Sequence, residues 1–396
     1  MLKGFTDPAL CCGCGTCVHS CPVGCISMEE DAIGFLFPKV DESKCIDCGK
    51  CMKVCPVLNH ENEENLDHES HAAHAKEAKT RWEGSSGGMF GVLAADVLQK
   101  GGAVYGAAFD ENLKLKCMRA ETPEELLPLC KSKYLQCDVG DAFSRIQADL
   151  EAGRQVLYVS TPCCVFALQR FLKKEYDNLL TVDFICHGVP SQKLFDQCKN
   201  YEEQQKGIKI TGFRFRAKKP NGATPHYFEM AYRKNGKSKV TTRLYTKTPF
   251  YLGFQKYITL RESCYHCRFS GSNRCSDLTI GDFHDVDKYL QGINRFDGIS
   301  LVSVNTEKGK SAWNKAADCL HVWPVDFQQL HKDGMLMCGG TQKPPRTEEF
   351  RADLESKPFE MVAKKWLNGK KEWKKDIYYA MPKPVRAAMR KIMGIQ

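Results

Sequence analysis

Two cysteine runs of identical spacing govern what this chain can fold into. Cys11-x-x-Cys14-x-x-Cys17-x-x-x-Cys21-Pro22 is followed by Cys45-x-x-Cys48-x-x-Cys51-x-x-x-Cys55-Pro56. Three cysteines two residues apart each reach one corner of an iron–sulfur cubane, while the fourth, three residues on, is directed to a second cubane. The spacing therefore assigns Cys11, Cys14, Cys17 and Cys55 to one 4Fe–4S cluster, and Cys45, Cys48, Cys51 and Cys21 to another. Pro22 and Pro56 prevent the chain from continuing as helix, and Gly13, Gly15 and Gly49 let the backbone lie close to sulfide. A pair of zinc sites would not require the third and fourth cysteines at this spacing twice over. Cys12 and Cys25 fall outside the scheme and read as buried thiols that pack as small hydrophobes.

The remaining cysteines set the compartment. Of 22, ten lie in the first 55 residues and twelve are scattered from Cys117 to Cys338. A secreted disulfide scaffold is short and carries a cleavable leader, whereas MLKGFTDPALCC has no apolar stretch. No apolar run approaches the roughly 20 residues of a membrane span. The composition thus implies a cytoplasmic, soluble protein with reduced thiols. The formal charge of +9 is uneven: residues 1–58 carry five Lys and seven acids, whereas residues 364–396 carry ten Lys/Arg against two acids.

Along the chain, residues 1–59 read as a small two-cluster ferredoxin-like domain and the polar residues 60–84 as a linker. Alternating apolar strands and helices then predict a mixed α/β domain, divided into residues 85–165 and 166–345, before a basic tail at 346–396. Val156 to Thr161 and Leu180 to Ile185 flank a helical segment, a βαβ signature of parallel strands. Residues 208–245, with turns at Pro220-Asn221-Gly222 and Asn235-Gly236, predict a β-hairpin insertion.

Cys163 and Cys186 follow those two strands, at the carboxyl edge where α/β sheets place ligands. Cys264-x-x-Cys267 arrives from another loop. Four cysteines on three loops suit a third cluster; a zinc site of Cys264, Cys267, Cys275 and His266 or His284 is the alternative, and Cys164 and Cys275 compete as ligands.

The strings SSGGMF, KSKYLQ, STPCC, DFICHGVPS and RESCYHCRF…SDLTIGDF resemble the beta-subunit family of coenzyme F-420 hydrogenase and dehydrogenase. The front, ending CIDCGKCMKVCPVLN, is similar to the form common in bacterial members, and the resemblance runs from about Asp7 to Gly340. It implies an iron–sulfur flavoprotein that passes electrons between clusters, FAD and a second acceptor. It also places the third cluster on Cys163, Cys186, Cys264 and Cys267. Two departures stand out: Cys164 replaces the usual Gln, and His284 stands where Trp is frequent.

Ser86, Gly87 and Gly88 before a helix would offer N–H groups to a pyrophosphate, with Lys131 and Lys133 nearby. Tyr134, Thr161 and Pro162 would sit beside the isoalloxazine and the third cluster. The sequence names no catalytic acid; His187 and His284 are candidates by position. The expected activity is oxidoreduction of a small redox substrate with an electron donor or acceptor protein. An electron-transfer subunit without substrate chemistry is the rival reading. The basic tail, with Trp366, Trp373, Tyr378 and Tyr379 and an amphipathic end around Val385, Met389, Ile392 and Met393, suits an anionic membrane surface at the inner face of the membrane or an acidic protein. Nucleic acid is not expected, because no base-reading module is present.

Overall fold

The structure, a computed structural model, describes the chain apart from residues 1, 3, 4, 6, 61–64, 219–225, 294–297, 336–338, 370–373, 375–376, 379–380, 382–384 and 387–396. The front repeats one small unit. Gly15 and Gly49, both left-handed, start the one-turn helices Thr16–His19 and Lys50–Lys53. The strands β1 (Ile26–Glu30) and β2 (Leu36–Val40) pair as a hairpin between them.

The stretch expected to be a linker contributes structure instead. Glu69–Ala75 forms β3 and Ala78–Glu83 a helix. Ala72, Ala73 and Ala75 are almost wholly buried, but alanine is depleted in strands and gives no strand signal. Ten further strands follow: β4 (Ala103–Phe109), β5 (Leu115–Ala120), β6 (Val156–Ser160), β7 (Leu179–Phe184), β8 (Lys209–Phe215), β9 (Tyr227–Lys234), β10 (Lys237–Leu244), β11 (Leu278–Asp282), β12 (Ser300–Val304) and β13 (Leu320–Val325).

Eight strands make one sheet in the order β13-β3-β12-β11-β7-β6-β4-β5. Its centre, β4-β6-β7-β11, is parallel, and the flanking strands are antiparallel. Both faces are covered, as parallel strands require. Helices Met89–Gln99 and Glu307–Ala316 bury Met89, Leu93, Val97 and Trp313 on one side. Helices Ala142–Glu151 and Pro162–Leu172 bury Phe143, Ile146, Val165 and Leu168 on the other. The sheet runs continuously across residue 165. The expected insertion is an antiparallel sheet, β10-β9-β8, turned at Asn235-Gly236, both with positive φ. Its core joins helices Gln192–Lys206, Pro249–Gln255, Thr347–Ser356 and Phe359–Trp366.

Trp366 belongs to that core: its Nε1 donates to Asp353 at 2.9 Å, and Lys364 and Lys365 pair with Glu360, Glu349 and Asp353. This much of the basic tail is therefore committed to intramolecular contacts. Trp373, Tyr379, Met389, Ile392 and Met393 lie outside the described residues. Among the described residues no helix is long and apolar enough to cross a membrane.

Several side chains of the larger domain, Arg170, Ser191, Lys193 and Arg268 among them, donate to carbonyls of the front, and one buried residue makes the most such contacts. Arg261, 1% exposed, donates to the carbonyls of Cys11 (2.6 Å) and Leu36 (2.9 Å) and to Gln136 Oε1 (3.1 Å). Its guanidinium lies 4.2 Å from the ring centre of Phe37, a cation–π contact strengthened by exclusion of water. Gln136 in turn donates to the carbonyls of Cys12 and Gly13.

Candidate functional site

In the front, Cys11, Cys14, Cys17 and Cys55 line one small apolar cavity with Leu2, Pro38 and Val57. The fourth member thus comes from the second run, the exchange the spacing predicts. Cys21, Cys45 and Cys51 pack around buried Cys25 and Ile26, with Cys48 exposed at the surface. Burial pushes the Cys55 thiol up to about 11.

The other cysteines meet at the carboxyl edge of the parallel strands. Thr161 caps the helix Pro162–Leu172, so Cys163 and Cys164 fall in its first turn, after β6. Cys186 follows β7, the parallel neighbour of β6. Cys163, Cys186, Cys264 and Cys267 all line a single cavity of about 460 Å³, within the range of cofactor pockets. Two glycines permit this closeness. A Cβ on Gly188 would lie 2.8 Å from Cys264 Cβ, and one on Gly340 2.5 Å from the Tyr265 carbonyl and 2.7 Å from that of Cys264. Gly188 also has φ +107°. Cys275 turns away: its thiol points at the Pro162 carbonyl, 3.8 Å off, and packs in the core below. Among the described residues, no three His, Cys, Asp or Glu side chains converge closely enough to hold a single metal ion.

Hydrogen bonding distributes charge over these thiols. The Cys163 thiol is drawn well below the ordinary range by contacts from Cys12, then Cys164 and Thr161, whose Oγ1 is 3.2 Å away. Cys186 and Cys264 are pushed up by burial, Cys264 to about 12.

The same cavity reaches Ser86, Gly88, Lys131, Lys133, Tyr134, Thr161 and Pro162. Gly87 stands behind it. Its N–H donates to Ser300 Oγ at 3.0 Å, and its Cα faces β3, where a Cβ would lie 2.4 Å from the Ala73 carbonyl. The Ser86 hydroxyl donates to the Ile299 carbonyl. The expectation is thus corrected for one of the backbone N–H groups meant to face a pyrophosphate: that of Gly87 is spent fixing the loop to Ser300 of β12. Ser85 and Ser132 join it to the Lys131–Tyr134 segment, at 2.7 Å from Ser132 N. Tyr134 stacks on Phe254 with ring centres 4.3 Å apart.

Beside Lys131 and Lys133, the charged end of this cavity holds residues not singled out from the sequence, Arg216, Asp282 and, behind them, Lys218. Arg216, buried with a left-handed backbone, pairs with Asp282 and donates to Tyr134 OH (3.1 Å) and the Ser85 carbonyl (3.0 Å). Against the effect of burial, Arg216 holds the Asp282 carboxyl well below the usual range. His284 lies 3.6 Å from Asp282. His187 stacks on Tyr257 and is pushed down by burial and by His284. Lys218 donates to the Arg81 and Ser86 carbonyls. Burial depresses Lys131 to about 8, with Arg214 adding to it, and Lys133 and Lys218 to about 7. The available signals were the basic run FRFRAKK and an acid ending the apolar strand LTIGD.

Residues 153–326 match the family model for the C-terminal part of the beta subunit of coenzyme F420 hydrogenase/dehydrogenase. That stretch of the larger domain is this family's C-terminal module. Residues 10–59 and 42–111 match two models of 4Fe-4S dicluster domains, so the module is joined to an iron–sulfur electron-transfer front. Among solved structures, one chain of the F420-reducing [NiFe] hydrogenase complex from Methanosarcina barkeri is similar, at 16% identity and a TM-score of 0.45. That match covers 69% of this chain and 91% of the other. No curated protein sequence matches.

Proposed function

We propose that the protein is an iron–sulfur flavoprotein oxidoreductase, with a third 4Fe–4S cluster on Cys163, Cys186, Cys264 and Cys267 and FAD beside it. The observation that carries this reading is that one cavity contains both the four cysteines and a cation-lined end. Three cationic side chains, Lys131, Lys133 and Arg216, line that end with Asp282, and Lys218 stands behind them on the Arg81 and Ser86 carbonyls. Burial depresses the basicity of the three lysines, and an anion beside them, such as a pyrophosphate, would oppose that shift. When bound, the clusters carry single electrons and the flavin exchanges pairs, the chemistry that joins such cofactors. The chain's part is placement. Thr161 and Pro162 fix Cys163 at the boundary between the two ends, and Tyr134 offers a ring face held by Phe254 and Arg216. His284, at the rim, and His187, in the wall, are positioned to hold or pass a proton for a small redox substrate. The exposed Cys48 edge of the front suits an electron-donor or acceptor protein.

The fit of the cysteines favours clusters over zinc. They line a space wider than one ion, and Cys275, which the zinc alternative requires, faces the core. Anaerobic purification with metals, sulfide and flavin counted per chain tests the whole reading. About twelve irons and twelve sulfides, with stoichiometric FAD and no zinc, are expected. Full iron without flavin would instead leave an electron-transfer subunit lacking substrate chemistry.

A further inference from the structure

Arg216, Arg261 and Arg274 are all buried in the larger domain. Arg216 pairs with Asp282, and Arg274 lies 3.7 Å from Asp183. Arg261 differs. Its nitrogens donate to the Cys11 and Leu36 carbonyls and the Gln136 side-chain oxygen, all of them neutral, and among the described residues no carboxylate pairs with it. The rings of Phe35 and Phe37 cover it, with centres 5.4 and 4.2 Å from the guanidinium carbon. A charge taken out of water without a counter-charge is costly, yet the fold builds this one in. Its surroundings say where the missing negative charge belongs. A Cβ on Gly13, between Cys11 and Cys14, would lie 2.9 Å from Arg261 Nη1, so the guanidinium is seated against the turn joining two ligands of a front cluster. The same residue opens the turn to Cys264, whose N–H donates to the Arg261 carbonyl at 3.0 Å. The Arg261 N–H donates to the Val189 carbonyl at 2.9 Å, three residues beyond Cys186. Arg261 also lines the large cavity.

From this placement we infer that Arg261 is the shared counter-charge of two clusters, those held by Cys11 and by Cys264, and that its fixed positive charge raises both reduction potentials. The second half of the inference rests on the third-cluster reading above. A cluster on four thiolates carries net negative charge, and its potential depends on that charge and on the groups around it. In a seam closed to water, a neighbouring cation offsets the charge with little screening. Guanidinium suits the task because its charge is permanent. Arg261 therefore acts as a constant bias and not as a switch, and it gives up no proton when an electron arrives. None of the ligands of the Cys45 cluster touches it. The bias thus favours an electron on the two inner sites over the outer one, and draws charge from the exposed Cys48 edge toward the cavity.

The test is an EPR-monitored redox titration of the full chain, purified anaerobically, with iron counted first. Wild-type protein holding about eight irons would mean that the third-cluster reading has failed, and the shared role with it. With about twelve irons, Arg261→Gln, which keeps an amide donor but no charge, should lower two midpoint potentials and leave the third in place. The expected shift is about tenfold in each reduced-to-oxidised ratio, or about 59 mV for one electron. Arg261→Lys, which keeps the charge and loses the planar fork, should hold both near wild type. Unchanged midpoints in Arg261→Gln with full iron, or three midpoints moving together, would overturn the inference. A lysine variant matching the glutamine one would also overturn it, because hydrogen bonds and not charge would then set the potentials. Should Arg261→Gln lose iron, the titration is read on Gln136→Glu, which keeps Arg261 and sets a carboxylate against it. That variant should lower the same two midpoints, whereas the neutral Gln136→Met should not. Loss of iron in every variant, Arg261→Lys included, would leave Arg261 a structural clasp and overturn the proposal.

Discussion

Eight front cysteines lie in two runs of eleven residues each, whereas the four at the strand ends are drawn from positions 163 to 267. In the front, the local chain spaces the thiols, and two one-turn helices suffice to aim them. In the larger domain the sheet must form first, because β6 and β7 deliver Cys163 and Cys186 and a separate loop delivers Cys264 and Cys267. Closing loops of that length costs entropy that only the folded sheet offsets. The glycines register the same contrast. A Cβ at Gly49 in the second run meets nothing within 4 Å, while at Gly188 or Gly340 it collides with the Cys264 segment; at Gly13, where the first run meets the larger domain, it would lie 2.4 Å from Gln136 Nε2. Slack is lost wherever tertiary contacts close on the backbone.

The strongest way to break this comparison is to remove the clasp between the two regions. Arg261→Met leaves the carbonyls of Cys11 and Leu36 and the Gln136 side chain without their donor. At roughly 1–3 kcal/mol for each buried partner left unmet, a loss of about 3 kcal/mol or more is expected. Thermal melting should fall, and limited proteolysis should release the front; a variant melting like wild type would show that the regions fold independently.

Next in size, Gly188→Ala should lose the third site alone. Iron should drop by about one third, with the front clusters still visible by EPR. Gly49→Ala, strained only by its left-handed backbone at about 1–2 kcal/mol, should keep all its iron. Equal iron in the two variants would erase the contrast.

A smaller effect concerns pH. Lys131, Lys133 and Lys218 have folded values of about 7 to 8, below their unfolded range. The unfolded chain therefore binds more protons above about pH 7, and flavin-free protein should gain stability as pH rises from there toward about 10. An anionic ligand favours the protonated lysines, so FAD affinity should fall between about pH 6.5 and 9. Affinity measured by fluorescence that is flat over this interval would remove the lysines from the pocket. Smallest of all, Cys275→Ser should leave the iron count unchanged, because its hydroxyl keeps the Pro162 carbonyl as acceptor.

How far the sequence revealed this arrangement follows the same division. The front was readable because its ligand pattern is contiguous, and βαβ periodicity revealed that β6 and β7 are parallel. β3 was hidden by its alanines and histidines. The role of Gly87 was misassigned, since a glycine beside a helix start gives no sign whether its open side faces a ligand or a neighbouring strand. Here it faces β3. Arg216 and Asp282 are 66 residues apart, and nothing in either local segment announces the other. The same holds for Arg261, whose partners are 225 and 250 residues away.

Leu10, Cys12 and Val57 of the front form part of the wall of the large cavity. The chamber is therefore not the property of either region. A homologue that kept only the larger domain would open its innermost cysteines to water and dioxygen unless another polypeptide supplied the missing wall. Covalent fusion removes that dependence on supply: each chamber is made with its own shutter in a fixed ratio of one to one, and no step of partner recognition intervenes between synthesis and shelter.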